Sequence, residues 1–196
     1  MTSKFLYFIV LISILLSPFK DAFPKFCPND MVRILIYEKT GKRYFCIDKY
    51  EYPNRVNVIP QTKVSYYEAA NICLKKKKRL CTPKEWSTAC LGEGDMKYFY
   101  GNEYVEGKCN TEKSWTNRSE AAPSGSFGGC RNVSGSNALF DMIGNVAEWT
   151  ELEDKGKCQT VKGGYWSYGS KANCGVGVCL DPGFKLIFIG FRCCKK

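Results

Sequence analysis

Asp141-Met-Ile-Gly-Asn-Val-Ala-Glu-Trp149 is the stretch on which the reading of this chain turns. It sets two carboxylates seven residues apart, with a glycine between them that permits a sharp turn. Carboxylates and turn carbonyls at such spacing are hard oxygen donors of the kind calcium takes. The plainer use of the same residues is structural: Asp141 caps the turn and Glu148 pairs with a lysine or arginine. Ala147-Glu-Trp-Thr150 then reads as a short strand. Gly163-Gly-Tyr-Trp166 and Gly190-Phe-Arg-Cys193 are further apolar pieces punctuated by glycine. Trp149 and Trp166 are expected in the core. Tyr165, Trp166, Tyr168 and Arg192 are the candidates to line a cleft. Arg192 has a second use, an internal ion pair with Glu148 or Asp141 that fixes the last strand.

Working outward, the chain has 196 residues, 44% of them hydrophobic, 14% aromatic and 24% charged, the balance of one packed domain. There is no histidine. That removes His-ligated metal sites, Ser-His-Asp hydrolysis and Cys-His proteolysis. No glycine-rich phosphate loop occurs, so nothing points to a nucleotide. Residues 1–22 read as a signal peptide or retained N-terminal anchor: Lys4, then uncharged Phe5 to Leu16. Those twelve residues are too few to span a bilayer of about 30 Å. All 12 cysteines follow this segment, at 27, 46, 73, 81, 90, 109, 130, 158, 174, 179, 193 and 194. An even number in an exported chain suggests disulfides, and no CxxC pair favours zinc. The net charge is +10, with the densest run at Lys75-Lys-Lys-Lys-Arg79. That run reads as a solvated helix end; no second basic patch supports nucleic-acid binding.

Local signals are strongest in the first half. Val32 to Tyr37 and Arg43 to Asp48 flank a glycine-containing turn, a β-hairpin. Ser65-Tyr-Tyr-Glu68 and Thr82-Pro-Lys-Glu85 are capping boxes, each opening a helix. Arg79-Leu-Cys81 is a tight link between them. Leu91 to Ala138 is long loop, which needs staples, metal or function to hold it. Asn117-Arg-Ser119 and Asn132-Val-Ser134 match a glycosylation acceptor. Thr160-Val-Lys162 and Ile187-Phe-Ile189 are further candidate strands. The sum is an irregular α+β fold over residues 23–196.

Asp48-Lys-Tyr-Glu51, Val64-Ser-Tyr-Tyr-Glu-Ala69, Arg79 to Trp86, Tyr100-Gly-Asn102, Cys109-Asn110, Asp141 to Trp149, Gly163-Gly-Tyr-Trp166 and Gly190-Phe-Arg-Cys193 occur in this order. That series resembles the formylglycine-generating enzyme family, the sulfatase-modifying-factor domain, from about Cys46 to Cys194. Arg-Leu-Cys and Phe-Arg-Cys-Cys look like a Cys-rich, exported bacterial branch. The resemblance implies a mixed, loop-rich fold akin to C-type lectins, stapled here by disulfides. It also implies calcium held by the side chains of Asp141 and Glu148 and the carbonyls of Gly144 and Val146. A second calcium site would begin near Asn110 and Thr111, with its later ligands in a loop that is shortened in this chain.

Family enzymes oxidise a substrate cysteine to formylglycine with O₂, holding Cu(I) between two cysteines in C-x4-C spacing. The first of these lies about four residues after the Gly-Gly pair. Here Ser167 or Tyr168 stands at that place. Cys174 and Cys179 repeat the spacing, displaced along the chain. They are a shifted copper pair, or disulfide partners of each other or of other cysteines, or Cys174 is a lone thiol. The expectation is a secreted or periplasmic, divergent or non-catalytic member that binds a peptide or other ligand, with no nucleic acid or nucleotide and a membrane contact only through an uncleaved leader. The alternative is a copper-dependent oxidase that uses Cys174 and Cys179.

Overall fold

A computed structural model describes residues 26–92, 94, 96–115, 118–132, 138–151 and 158–196. The leader expected over residues 1–22 lies outside them, as do Asn117 and the Val133 and Ser134 of the second acceptor motif. Among the described residues the fold is a mixture of short strands, two α-helices and one turn of 3-10 helix at Gly169–Lys171.

β1 (Met31–Glu38) and β2 (Gly41–Asp48) form the hairpin, in register from Met31 opposite Asp48 to Glu38 opposite Gly41. Both helices start as their capping boxes dictate. Ser65 accepts from the Glu68 amide at the head of α1 (Tyr66–Lys75), and Thr82 does the same for Glu85 at α2 (Pro83–Leu91). In each box the glutamate reaches back to the cap amide, so two orphan donors are met locally. The link Arg79–Leu80 is a strand, β3, because it pairs with β8 (Cys193–Lys195). The first sheet therefore runs β1-β2-β8-β3. The second runs β6 (Gly177–Leu180), β5 (Gln159–Lys162), β4 (Ala147–Trp149), β7 (Ile189–Phe191). β7 lies two residues beyond the Ile187 start expected, since its register comes from parallel pairing with β4.

Two apolar clusters result. Val32, Ile36, Phe45, Trp86, Phe99 and Leu139 pack under the first sheet, and Val64, Ala69, Trp149, Val161, Ile189 and Phe191 under the second. All twelve cysteines are bridged: Cys27–Cys46, Cys73–Cys193, Cys81–Cys194, Cys90–Cys174, Cys109–Cys130 and Cys158–Cys179. Adjacent residues of a strand point to opposite faces. Cys193 accordingly joins the second cluster and Cys194 the first. Six bridges are consistent with an extracellular or periplasmic protein. No described helix is long and apolar enough to cross a membrane.

The basic run is partly internal. Lys78 pairs with Asp30 and Asp48, and Arg79 with Glu85 and Glu151. Lys75, Lys76 and Lys77 are exposed.

Candidate functional site

Asp141 and Asn145 both have φ 53°, and Gly144 between them has φ 71°. The chain is therefore coiled tightly before it enters β4. A Cβ on Gly144 would sit 2.5 Å from the Asn110 carbonyl oxygen, so only glycine fits there. Asn145 ties the coil to its surroundings. Its Oδ1 accepts from Asn110 Nδ2 and the Ala122 amide, and its Nδ2 donates to Glu51 Oε1 and the Ala122 carbonyl.

The coil delivers Glu148 to Arg192. Arg192 Nη2 lies 2.7 Å from Glu148 Oε1, and Nε reaches both carboxylate oxygens at 2.9 and 2.8 Å. Trp86 Nε1 donates to Oε2 at 2.7 Å. Arg192 also donates to the carbonyls of Asp48, Lys49, Phe140 and Asp141. Both partners are fully buried. Burial works against the Arg192 charge, yet the facing Glu148 carboxylate holds its pKa above the usual arginine value. This is the internal ion pair anticipated for Arg192, and it keeps Arg192 out of any cleft. Trp166 is likewise core, and does not line the cleft.

The four-residue calcium set does not fit the ion as arranged. The Glu148 oxygens already accept from Arg192 and Trp86, which fills their lone pairs and puts a guanidinium against the carboxylate. Asp141 Oδ2 accepts from the Gly125 amide at 2.6 Å. Among the described residues no three His, Cys, Asp or Glu side chains converge on one point. Near the second expected site, the Asn110 and Thr111 carbonyls accept from the Asn145 and Gly169 amides, leaving buried Asn110 Oδ1 without a partner.

Glu51 is the third carboxylate of this interior. It accepts from Ser124 Oγ and Asn145 Nδ2, and burial, then the Asp141 charge, lifts its pKa to about 8. Burial likewise lifts Asp141 to about 6. A carboxyl whose pKa is raised by folding adds stability below its unfolded pKa, and that stability is lost as pH rises through the folded pKa. Thermal midpoints should therefore fall between pH 5 and pH 8, and Glu51→Gln should flatten that slope. An unchanged slope in the variant would contradict the assignment.

The cleft lies on the outer part of the second sheet. The Gly163-Gly164 turn, at φ 92° and 75°, sends the chain over the sheet face, where Tyr165 stacks on Phe188 with ring centroids 4.3 Å apart. Tyr165, Tyr168, Val161, Val178, Leu180 and Phe188 line most of an apolar cavity of about 200 Å³. Trp115, 53% exposed, stands edge-on to Tyr165 and Phe188 at its rim. Tyr165 and Tyr168 both line this cavity. No motif singles out Phe188 or Trp115, whereas the alternation Val176-x-Val178-x-Leu180 is the sequence signal for the strand that lines the cavity.

The shifted copper pair is corrected. Cys174 is bridged to Cys90, and Cys179 to Cys158. The two sulfurs belong to different disulfides, so neither is a thiolate and neither partners the other.

Residues 42–196 match the sulfatase-modifying factor enzyme 1-like domain family. The chain is 28% identical over 153 residues to inactive C-alpha-formylglycine-generating enzyme 2 of Bos taurus, covering 68% of this chain and 49% of that protein. It is 27% identical over 157 residues to serine/threonine-protein kinase pkn1 of Chlamydia caviae, covering 69% and 24%. The chain thus spans about half and about a quarter of these curated relatives. Among solved structures, Treponema denticola variable protein 1 superposes with a TM-score of 0.61 at 14% identity, over 84% of this chain and 94% of that one. CarF does so with a TM-score of 0.60 at 18% identity, over 86% and 98%. At these identities the likeness is one of fold.

Proposed function

Because the chain belongs to the sulfatase-modifying factor enzyme 1-like domain family, we propose that it is an exported, non-catalytic member whose cleft binds a peptide ligand. The observation that carries this reading is the bridging of Cys174 to Cys90 and of Cys179 to Cys158. Cu(I) asks for two facing thiolates, and here both sulfurs are oxidised and held by other parts of the chain. Tyr168, near the place of the first copper cysteine, lines an apolar cavity instead. The described lining, with no charged side chain, suits a hydrophobic side chain. The related bovine protein also bears the description inactive. The six bridges together with the apolar N-terminal stretch support the exported part of this reading.

The test is a Cu(I) titration of protein purified without reductant, run beside an aldehyde assay on a cysteine-bearing peptide. The expected result is no stoichiometric Cu(I) binding and no aldehyde. Stoichiometric binding that disappears in Cys174→Ser, with aldehyde formed, would establish the oxidase instead.

A further inference from the structure

Among the described residues the second sheet ends at β6 with its outer edge unpaired. β6 is bonded to β5, and among the described residues no backbone group of Gly177–Leu180 bonds elsewhere. Proteins usually blunt such edges with a charge or a proline; β6 reads Gly-Val-Cys-Leu and has neither. Its two faces differ. On one, Val178 and Leu180 line the apolar cavity. On the other, Gly177 lies opposite Lys162.

That face also carries Thr160 and the Cys158–Cys179 bridge, but the glycine at 177 leaves room beside them, and the Lys162 side chain lies across it. Lys162 Cδ and Nζ come within 3.4 and 3.6 Å of the place a Gly177 Cβ would take. The ammonium is thereby carried from β5 out to the edge. Lys162 is 8% exposed, and its one described partner is the Trp86 ring, 5.7 Å from Nζ. Glu148, its neighbour across the ladder, is already engaged by Arg192 and Trp86. Nζ is not among the side-chain polar atoms of the described residues that are both sealed from solvent and without a partner, which are Asn110 Oδ1, Gln159 Oε1 and Trp166 Nε1. Burial alone pulls the Lys162 pKa down, with no carboxylate to hold it up.

We infer that the ligand is an extended peptide that pairs with the outer edge of β6, with an apolar side chain in the cavity on one face and a carboxylate at Lys162 on the other. Successive side chains of an added strand point to opposite faces, so the pattern recognised is an alternating apolar–acidic one. This rests on the ligand-binding reading above and names the chemistry of the ligand.

The experiment is calorimetric titration of the full oxidised chain with end-blocked hexapeptides of alternating Leu/Glu, Leu/Gln and Leu/Lys. Two further Leu/Glu peptides are N-methylated at alternate amides, one in each register. Leu/Glu should bind about tenfold tighter than Leu/Lys, the effect of one charge-assisted hydrogen bond. N-methylation in one register should abolish binding and in the other should not. Lys162→Gln should weaken Leu/Glu about tenfold and leave Leu/Gln unchanged, which also shows that the variant is folded. Equal affinities for all three peptides, or indifference to N-methylation, overturn the inference. If those peptides still bind and Tyr168→Ala abolishes it, the cleft reading survives its loss. No binding by any peptide overturns the inference too, and the copper titration then decides separately on the reading beneath it.

Discussion

Arg192→Met should lower the free energy of unfolding by about 3–5 kcal/mol, because it leaves a buried carboxylate without its counter-charge. That is a large share of the roughly 5–15 kcal/mol a typical domain possesses. The loss has two parts: Glu148 keeps only the Trp86 indole, and the carbonyls of Asp48, Lys49, Phe140 and Asp141 lose their common donor. Arg192→Lys should recover little, since one ammonium cannot span a bidentate carboxylate and four carbonyls. The double variant Glu148→Met with Arg192→Met should cost less than the sum of the two single changes, because removing both charges leaves neither uncompensated. Urea titrations of the four proteins measure this. Additive losses would mean that the pair is not the coupled unit the distances indicate.

The second large effect concerns two neighbouring bridges. Cys73–Cys193 and Cys81–Cys194 span 120 and 113 residues, yet their ends are adjacent. With one in place, the other closes a ring of only about ten residues, worth about 3 kcal/mol by chain entropy. With neither in place, the larger ring is lost as well, which the Cys90–Cys174 bridge already shortens to about 40 residues, and the total rises to about 6 kcal/mol on the same account. Removing either pair by Cys→Ala replacement should be tolerated; removing both should leave most of the chain unfolded. Circular dichroism during chemical denaturation of the three variants decides it. Equal losses for the single and double removals would show that the bridges do not back each other up.

What the sequence disclosed was what local chemistry determines. The capping boxes at Ser65 and Thr82 work within four residues and start helices in the structure as expected. The hairpin is equally local, because alternation and one glycine suffice to specify it. Elements set by distant partners were hidden. Arg79–Leu80 is a strand only because β8 runs beside it. β7 begins at Ile189 because β4 sets its register. For the site, Arg192 was legible as an ion-pair candidate, since a buried guanidinium must find a carboxylate. The fates of Cys174 and Cys179 were not: their spacing suggested a pair, while their partners lie 84 and 21 residues away. Lys162 drew no notice, because what sets it apart is a glycine on the next strand.

The alternation of Cys193 and Cys194 across β8 has a consequence for how this molecule is made. The correct bonds form only when the strand sits in its proper register; a slip of one residue would present one of the two sulfurs to the other's partner and carry its neighbour away from both. A chain oxidised too early would be locked as a scrambled isomer and could escape only by thiol exchange. Yield from a heterologous host should therefore depend on isomerase capacity more than on the rate of oxidation.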